Sequence, residues 1–398
     1  MGCDDAQEGG AVSRVLVTDG HWRKTLAAVR SLGRRGVEVV VGESSRVATS
    51  LFSKYCSRRL VYPSVRRHPE AFLAFLRREL KKCDYDLIMP MEEETLLLLA
   101  RHREEFALMA RLPLPSYEAI MQVRDKGWLL QHALQEEIPI PRTIWVKDLA
   151  ELHTIKEKIP GPWVIKPRIS SGSFGIAYVE HAEDLAEAYG KVHSQFPFPL
   201  IQERLPAEGE AFGCSALLDK GSRVKALFVH RRLREYPITG GPSTLRESTH
   251  HPRIEELAVR LLQSLKWHGV AMVEFKVDPR DKEPKLMELN PRFWGSLALA
   301  IHAGVDFPYL LYKMAMGEEF APVVDYKVGV RCRWLLPGDI LHFLQNPRRF
   351  HLKPSFFQFR GIPDDILSRD DPLPVVGSFL TLLSLPWDKD LRRFLQRR

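Results

Sequence analysis

Residues 269–293, GVAMVEFKVDPRDKEPKLMELNPRF, read as two strands of a hairpin with Glu274 on one arm and Glu288 and Asn290 on the other. Side chains two apart on a strand share a face, so Glu288 and Asn290 point the same way, and pairing across the turn brings Glu274 beside them. Two carboxylates and an amide oxygen, with positions left for water and phosphate oxygens, are a ligand set suited to Mg²⁺. Arg292 follows one step further along that face. An E-x-N on its own would read as a solvated hairpin; the upstream residues give this one its meaning.

WVIK (163–166) reads as a short buried strand ending in Lys166, and it leads into Ser170, Ser171, Gly172, Ser173, Phe174 and Gly175. Glycines let backbone N–H groups approach an anion, hydroxyls add donors, and a lysine at the strand's end supplies a point charge for the same oxygens. Earlier, Arg124-Asp125-Lys126 opens a predicted helix, and later LIQERLPAEGE (200–210) reads as a strand with Gln202 and Glu203, followed by Glu210.

These residues need rigid elements to hold them. The first hundred residues alternate strand and helix: VSRVLVTDG (12–20), a helix over 22–34 stopped by Gly36, VEVVVGES (37–44), a helix over 69–83, the strand YDLIMPM and a helix over 93–106. That alternation predicts a doubly wound α/β unit on a parallel sheet. T-D-G-H-W-R after the first strand lacks the dinucleotide glycine pattern, which disfavours nicotinamide and flavin cofactors. Asp19, Gly20 and Glu92, at the strands' C-terminal ends, read either as a substrate wall or as ordinary helix caps. Further along, a strand pair over 212–233 turning at 219–222 and a helix over 253–266 precede the metal hairpin. Residues 231–248, RRLREYPITGGPSTLRES, are expected to form a long substrate loop.

In its order of motifs the chain resembles the ATP-grasp superfamily, in particular the branch with carbamoyl phosphate synthetase, biotin carboxylase and the carboxylate-amine ligases, over roughly residues 12–320. The resemblance implies a pre-ATP-grasp domain (12–115), an ATP-grasp domain (116–320, with a lid-bearing subdomain 116–205 and a metal-binding subdomain 206–320) and a basic C-terminal extension (321–398). It implies that Lys126 and Lys166 hold the ATP phosphates and that Ser170, Ser171, Gly172, Ser173 and Gly175 lie in the phosphate loop. Gln202, Glu203, Arg204 and Leu205 would form the adenine-side hinge, and Glu210 would bond the ribose. Glu274, Glu288 and Asn290 would bind Mg²⁺ (or Mn²⁺), Arg292 would face the reacting carboxyl group or acyl phosphate, and Arg231 would be a cationic residue on the substrate side, both counted as catalytic. The implied activity is an ATP-dependent ligase joining a carboxylate to an amine through an acyl phosphate, releasing ADP and phosphate. A kinase or carbamoyl-phosphate-type enzyme on the same fold, or a nucleotide-binding regulator that has lost catalysis, are the alternatives. No biotin-carrier segment, glutaminase domain or second ATP-grasp half is expected in the chain.

With 398 residues, 45% of them apolar, the chain can build two or three domains. No apolar run is long enough to span a bilayer, the start MGCDDAQEGG lacks a signal-peptide core, and Ala6 stands where myristoylation needs Ser or Thr. Cys3, Cys56, Cys83, Cys214 and Cys332 are scattered and are expected to be reduced thiols of a cytoplasmic protein, without zinc or disulfides. From residue 326 onward 13 Lys and Arg face 7 Asp and Glu, so this tail carries +6 of the formal +8. The basic residues are dispersed, which argues against nucleic acid despite a pI near 9.2. GSFLTLLSLPW (377–387) before the basic end is a candidate amphipathic surface helix, expected to pack on the preceding domain rather than touch a membrane. The expected partners are small-molecule carboxylate and amine substrates, and a homodimer is compatible with these features.

Overall fold

The computed structural model describes residues 12–170, 174–387 and 390. In chain order, β1 (Arg14–Val17), α1 (Arg23–Gly33), β2 (Glu38–Glu43), β3 (Arg58–Val61), α2 (Pro69–Lys82), β4 (Leu87–Met89), α3 (Glu93–Arg101) and α4 (Arg103–Phe106) build the first unit. Its sheet is parallel throughout, in the order β3-β2-β1-β4. Alternating side chains of β1 and β2 bury both faces: Val15, Val17, Val39 and Val41 pack with α1, while Leu16 and Val40 pack with α2 and α3. Helices on both faces of a parallel sheet make the unit doubly wound, as the sequence pattern predicts. The helix expected over 93–106 is broken at His102, and β3 is an edge strand beyond the sequence reading.

α5 (Tyr117–Arg124), α6 (Lys126–Gln135), β5 (Thr143–Trp145), α7 (Ile155–Lys158), β6 (Trp163–Lys166), β7 (Ala177–Val179), α8 (Leu185–Gln195) and β8 (Leu200–Glu203) follow. Their four strands form an antiparallel sheet in the order β5-β8-β6-β7. The third sheet comes from β9 (Ala211–Leu218), β10 (Val224–Glu235), β11 (Ser243–Thr249), β12 (Gly269–Val277) and β13 (Pro284–Asn290), with α9 (Pro252–Ser264) between β11 and β12. α10 (Leu297–Ala303), α11 (Phe307–Met316), β14 (Arg331–Arg333), α12 (Ile340–Gln345) and α13 (Pro374–Ser384) complete the chain.

The six-stranded order is β13-β12-β9-β10-β11-β14, so the C-terminal extension supplies an edge strand to this sheet. One face, with Leu217, Ala226, Phe228, Val270 and Met272, shares a core with the first unit, α10 and α11. The other, with Phe212, Cys214, Ala216, Val229 and Val273, packs on α9. The extension also clamps α1: Arg30, buried, donates to the Asp371 carboxylate at 2.9 Å and to the Ile366 carbonyl at 2.8 Å.

Two expectations change. Residues 231–248 are not a long loop: β10 runs to Glu235 and β11 starts at Ser243, so only a short turn remains between paired strands. The Arg- and Ser-rich composition misled because bulges between Arg232, Arg234 and Glu235 break the alternation that marks a strand. Cys56, Cys214 and Cys332 are free thiols, but Cys83 is disulfide-bonded, against the reading of all cysteines as reduced.

Candidate active site

The β12–β13 hairpin forms as expected, and its register gives the reason Glu288 and Asn290 share a face with Glu274. β12 and β13 pair with Glu274 opposite Glu288 and Met272 opposite Asn290, yet Phe275 pairs with Leu286, so Met287 is an extra residue in β13. Without it, Glu288 and Asn290 would share a face with Leu286, which is fully buried. The bulge switches the face: Leu286 and Leu289 enter the core with α9, and Glu288 and Asn290 turn to the opposite side with Glu274. There the Asn290 Nδ2 donates to Glu274 Oε1 at 3.2 Å and to Glu288 Oε1 at 3.3 Å.

Arg232 reaches Glu274 from β10. Its guanidinium donates to Glu274 Oε2 and lies 3.5 Å from Glu235. Burial works against its charge, but Glu274, Glu235 and Glu288 outweigh it and hold it protonated. Burial and the facing Glu288 push Glu274 up to about 7, despite Arg232. Burial also opposes the charge of Glu288, but Lys126 and Arg232 hold this carboxyl below its ordinary range. Facing carboxylates in a shielded place avoid being ionised together unless cations compensate.

Lys126 and Lys166 come from the smaller antiparallel sheet and its helix. Asp125 caps α6 by accepting from the Gly127 amide at 2.8 Å, and Arg168 donates to the same carboxylate, so the helix start is tied to the end of β6. This places Lys126 Nζ 2.7 Å from the Ser170 carbonyl oxygen and 3.9 Å from Glu288 Oε2. Lys166 ends β6; burial, then the charge of Lys126, lowers its pKa to about 8. Lys276, two residues after Glu274 on β12, is held below its ordinary value chiefly by burial, and its charge is felt at Lys166. A shielded, cation-rich recess beside two carboxylates is suited to a polyphosphate carried with a divalent cation.

The phosphate-loop expectation rests partly on Ser171, Gly172 and Ser173, which lie outside the described residues. Ser170 adjoins Lys126, and Gly175 has φ +75° with a Cβ position 2.6 Å from the Phe196 ring, so this position requires glycine. In the hinge stretch, Gln202 donates to Thr143 Oγ1 at 2.8 Å, and the Glu203 carboxylate accepts from the Arg142 amide at 2.9 Å and from Arg280 at 3.0 Å. Arg204 pairs with Glu180, and Leu205 is buried.

Glu210 and Arg231 are not brought to the carboxylates. Arg231 bonds Glu247 at 2.8 Å and Glu210 at 3.2 Å, and Glu247 in turn accepts from Arg331 at 2.6 Å. Arg231 alternates with Phe228, His230 and Arg232, so it points to the α9 side of the sheet, away from Glu274. The basic side chain on the carboxylate face is its neighbour Arg232, which the sequence reading missed. Lys276 was also missed, although its two-residue spacing from Glu274 was a visible signal. Arg232 had none, because its reach depends on the β9–β10 register.

Arg292 faces the first unit. Its Nη1 donates to its neighbour Phe293's carbonyl at 2.9 Å, and its Nε lies 3.9 Å from Glu92. Glu92 pairs at 2.7 Å with Lys24, whose Nζ also donates to the Phe293 carbonyl at 3.1 Å. Burial, then Arg292, lowers Lys24 to about 8, while Lys24 and Arg292 overcome burial and keep Glu92 below its ordinary pKa. Asp19 sets this corner by accepting from the Glu92 amide at 2.9 Å and from Thr95 Oγ1 at 2.7 Å. A recess lined by Met89, Pro90, Leu96, Pro113 and Phe293 adjoins Arg292.

Residues 195–336, which hold the hinge, the six-stranded sheet and the hairpin, match the family model described as ATP-grasp in the biosynthetic pathway with Ter operon. That match, to an ATP-grasp family model, covers about a third of the chain. Among curated relatives, the carbamoyl phosphate synthase large chain of Methanothermobacter thermautotrophicus is 23% identical over 337 residues, 77% of this chain and 31% of the relative. The chain thus spans about a third or less of the length of the curated relatives it matches. The biotin carboxylase domain of Hydrogenobacter thermophilus 2-oxoglutarate carboxylase, a dimer in complex with MgADP, ADP and bicarbonate, superposes with a TM-score of 0.67 at 17% identity over 81% of this chain and 74% of that one. An L-amino acid ligase from Bacillus licheniformis superposes with a TM-score of 0.59 at 18% identity, covering 77% of this chain and 75% of that one. At these identities the superpositions establish the ATP-grasp fold.

Proposed function

We propose that this protein is an ATP- and Mg²⁺-dependent ligase that joins a carboxylic acid to an amine. One observation carries the reading: Glu274, Glu288 and Asn290 converge on one face with Arg232, Lys126 and Lys166 around them. The donor set fits a divalent cation. Asn290 Nδ2 sits between two carboxylates, and a flip of the amide presents Oδ1 in its place. Among the described residues no group of three or more His, Cys, Asp or Glu is placed to hold a metal, so the remaining oxygens would come from phosphate and water, as Mg²⁺ prefers. Bound Mg²⁺ would neutralise charge on the phosphate oxygens during transfer.

The protein's own groups account for the rest. Lys126 and Lys166 hold the phosphates, and the arriving anion offsets the burial that lowers Lys166 and favours its charged form. Arg232 keeps Glu274 oriented. Arg292, beside Glu92 and Lys24 at the rim of the first unit, receives the acid and stabilises the oxyanion formed when the amine adds to the acyl phosphate. The residues beside it, Met89, Pro90, Leu96 and Phe293, suit an apolar portion of that substrate. Domain limits at 12–115, 116–320 and 321–398 belong to the same reading, supported by the separation into three sheets; β14 ties the last segment into the third sheet. The likeness to an L-amino acid ligase favours ligation over the kinase alternative.

The test is a screen of amino acids and small acids for ADP release, followed by the responding acid carrying ¹⁸O in its carboxyl group. One label should appear in the released phosphate. Release of AMP and pyrophosphate, or phosphate free of label, would exclude the acyl phosphate.

A further inference from the structure

We infer that the C-terminal extension docks this protein onto an anionic lipid surface. Between Asp339 and Asp364 the chain carries Arg348, Arg349, Lys353 and Arg360 and no acidic residue. In the same stretch Phe350, Phe357 and Phe359 are 70%, 61% and 54% exposed. Their rings join Phe343 and Phe356 in one cluster, with Phe343 4.4 Å from Phe356 and 5.5 Å from Phe350. An aromatic knob on a stretch with four cations and no acidic residue, Arg349 lying over Phe350, complements a headgroup layer of negative charge.

α13 supplies a second contact of the same character. The sequence expectation was that this helix packs on the preceding domain, and one side does: a Cβ on Gly377 would stand 2.6 Å from the Phe52 ring, and His21 Nδ1 is 3.3 Å from Thr381 Oγ1. Among the described residues the other side is uncovered. Leu373, Val376, Phe379, Leu383 and Trp387 recur at helical spacing, and all are exposed, Leu383 by 66% and Trp387 by 80%. No charged residue stands between Asp371 and Asp388. An uncharged apolar stripe ending in an exposed tryptophan, with Arg392, Arg393, Arg397 and Arg398 following in the sequence, has the chemistry of a helix lying in a membrane interface.

Two other occupants fit less well. A second copy of this chain would bring Arg348, Arg349 and Lys353 against the same cations in a two-fold contact. Single-stranded nucleic acid stacks on free ring faces, whereas these rings pack edge to face on one another (Phe356 on Phe357 at 5.3 Å and 87°), and Leu373, Val376 and Leu383 offer nothing to a base.

The experiment is co-sedimentation of the full chain with vesicles of phosphatidylcholine alone and of phosphatidylcholine mixed with phosphatidylserine. Binding is expected only to the mixed vesicles and should weaken as salt is raised. Each cation at the surface is worth about fivefold, so R348Q/R349Q/K353Q should lower partitioning by roughly 100-fold. F379S/L383S should lower it by at least about tenfold through the lost insertion, with an unchanged thermal unfolding temperature in both variants. Equal binding to both vesicle types, no binding, or variants that bind like the wild type would overturn the proposal. So would binding of a single-stranded RNA that R348Q/R349Q/K353Q abolishes, or a dimer that F379S/L383S dissociates.

Discussion

Replacing Arg232 by Ala tests whether the cation on β10 and a divalent metal neutralise the same two carboxylates. The Arg232 and Glu274 side chains are each 16% exposed, and the guanidinium donates directly to the carboxylate. A contact pair of unit charges is worth about 4 kcal/mol at an effective dielectric near 20, and removing one partner of a buried pair costs about 3–5 kcal/mol. With water reaching both ends, the loss should be about 2–3 kcal/mol in the absence of ligand. Glu274 and Glu288 then face each other with less compensation, so Mg²⁺ should do more for the variant than for the wild type. A tenfold gain in metal affinity corresponds to about 1.4 kcal/mol of added stabilisation at saturating ligand. Thermal unfolding with and without MgADP reads both quantities: the variant should melt lower without ligand and gain more from it. Equal gains in the two proteins would refute the idea that Arg232 balances the metal carboxylates, and an unchanged ligand-free unfolding temperature would refute the pairing itself.

Glu288→Gln should abolish ATP turnover while leaving the fold intact, because Glu288 stands on the cleft face of β13 and Leu286 and Leu289 hold the strand; calorimetric titration with MgATP that matched the wild type would end its assignment as a metal ligand. Arg292→Ala should keep most MgATP affinity and lower kcat for ligation by about 100- to 1000-fold, the usual cost of one oxyanion donor, and a loss confined to KM for ATP would place Arg292 on the nucleotide instead. Lys166→Met should change stability with pH in a defined sense. The folded pKa, about 8, lies below the free value of 10.5, so charged Lys166 destabilises the fold below about pH 8, and the penalty is relieved as pH rises from about 8 to 10.5. The methionine variant should therefore be more stable by about 2–3 kcal/mol at pH 7, with little difference near pH 10.5; urea unfolding at the two pH values checks it, and a variant destabilised equally at both would contradict the depressed pKa.

The sequence by itself determined the local elements and the residue types of the site. Alternating apolar residues fix β1 and β2 and bury both their faces. Asp125 marks the start of α6, and two-residue spacing sets Glu288 beside Asn290, because these rules act over a few bonds and need no partner strand. Tertiary structure decided which residues meet. The bulge at Met287 selects the face of β13, and the register of β9 with β10 sends Arg232 to the carboxylates and Arg231 to Glu247 on the far side. A one-residue shift in either pairing would exchange the faces, and periodicity within a single strand carries no record of it. The same limit hid β14 and the Lys24–Glu92–Arg292 chain, each of which joins residues far apart in sequence through the shared core of the first unit and the six-stranded sheet.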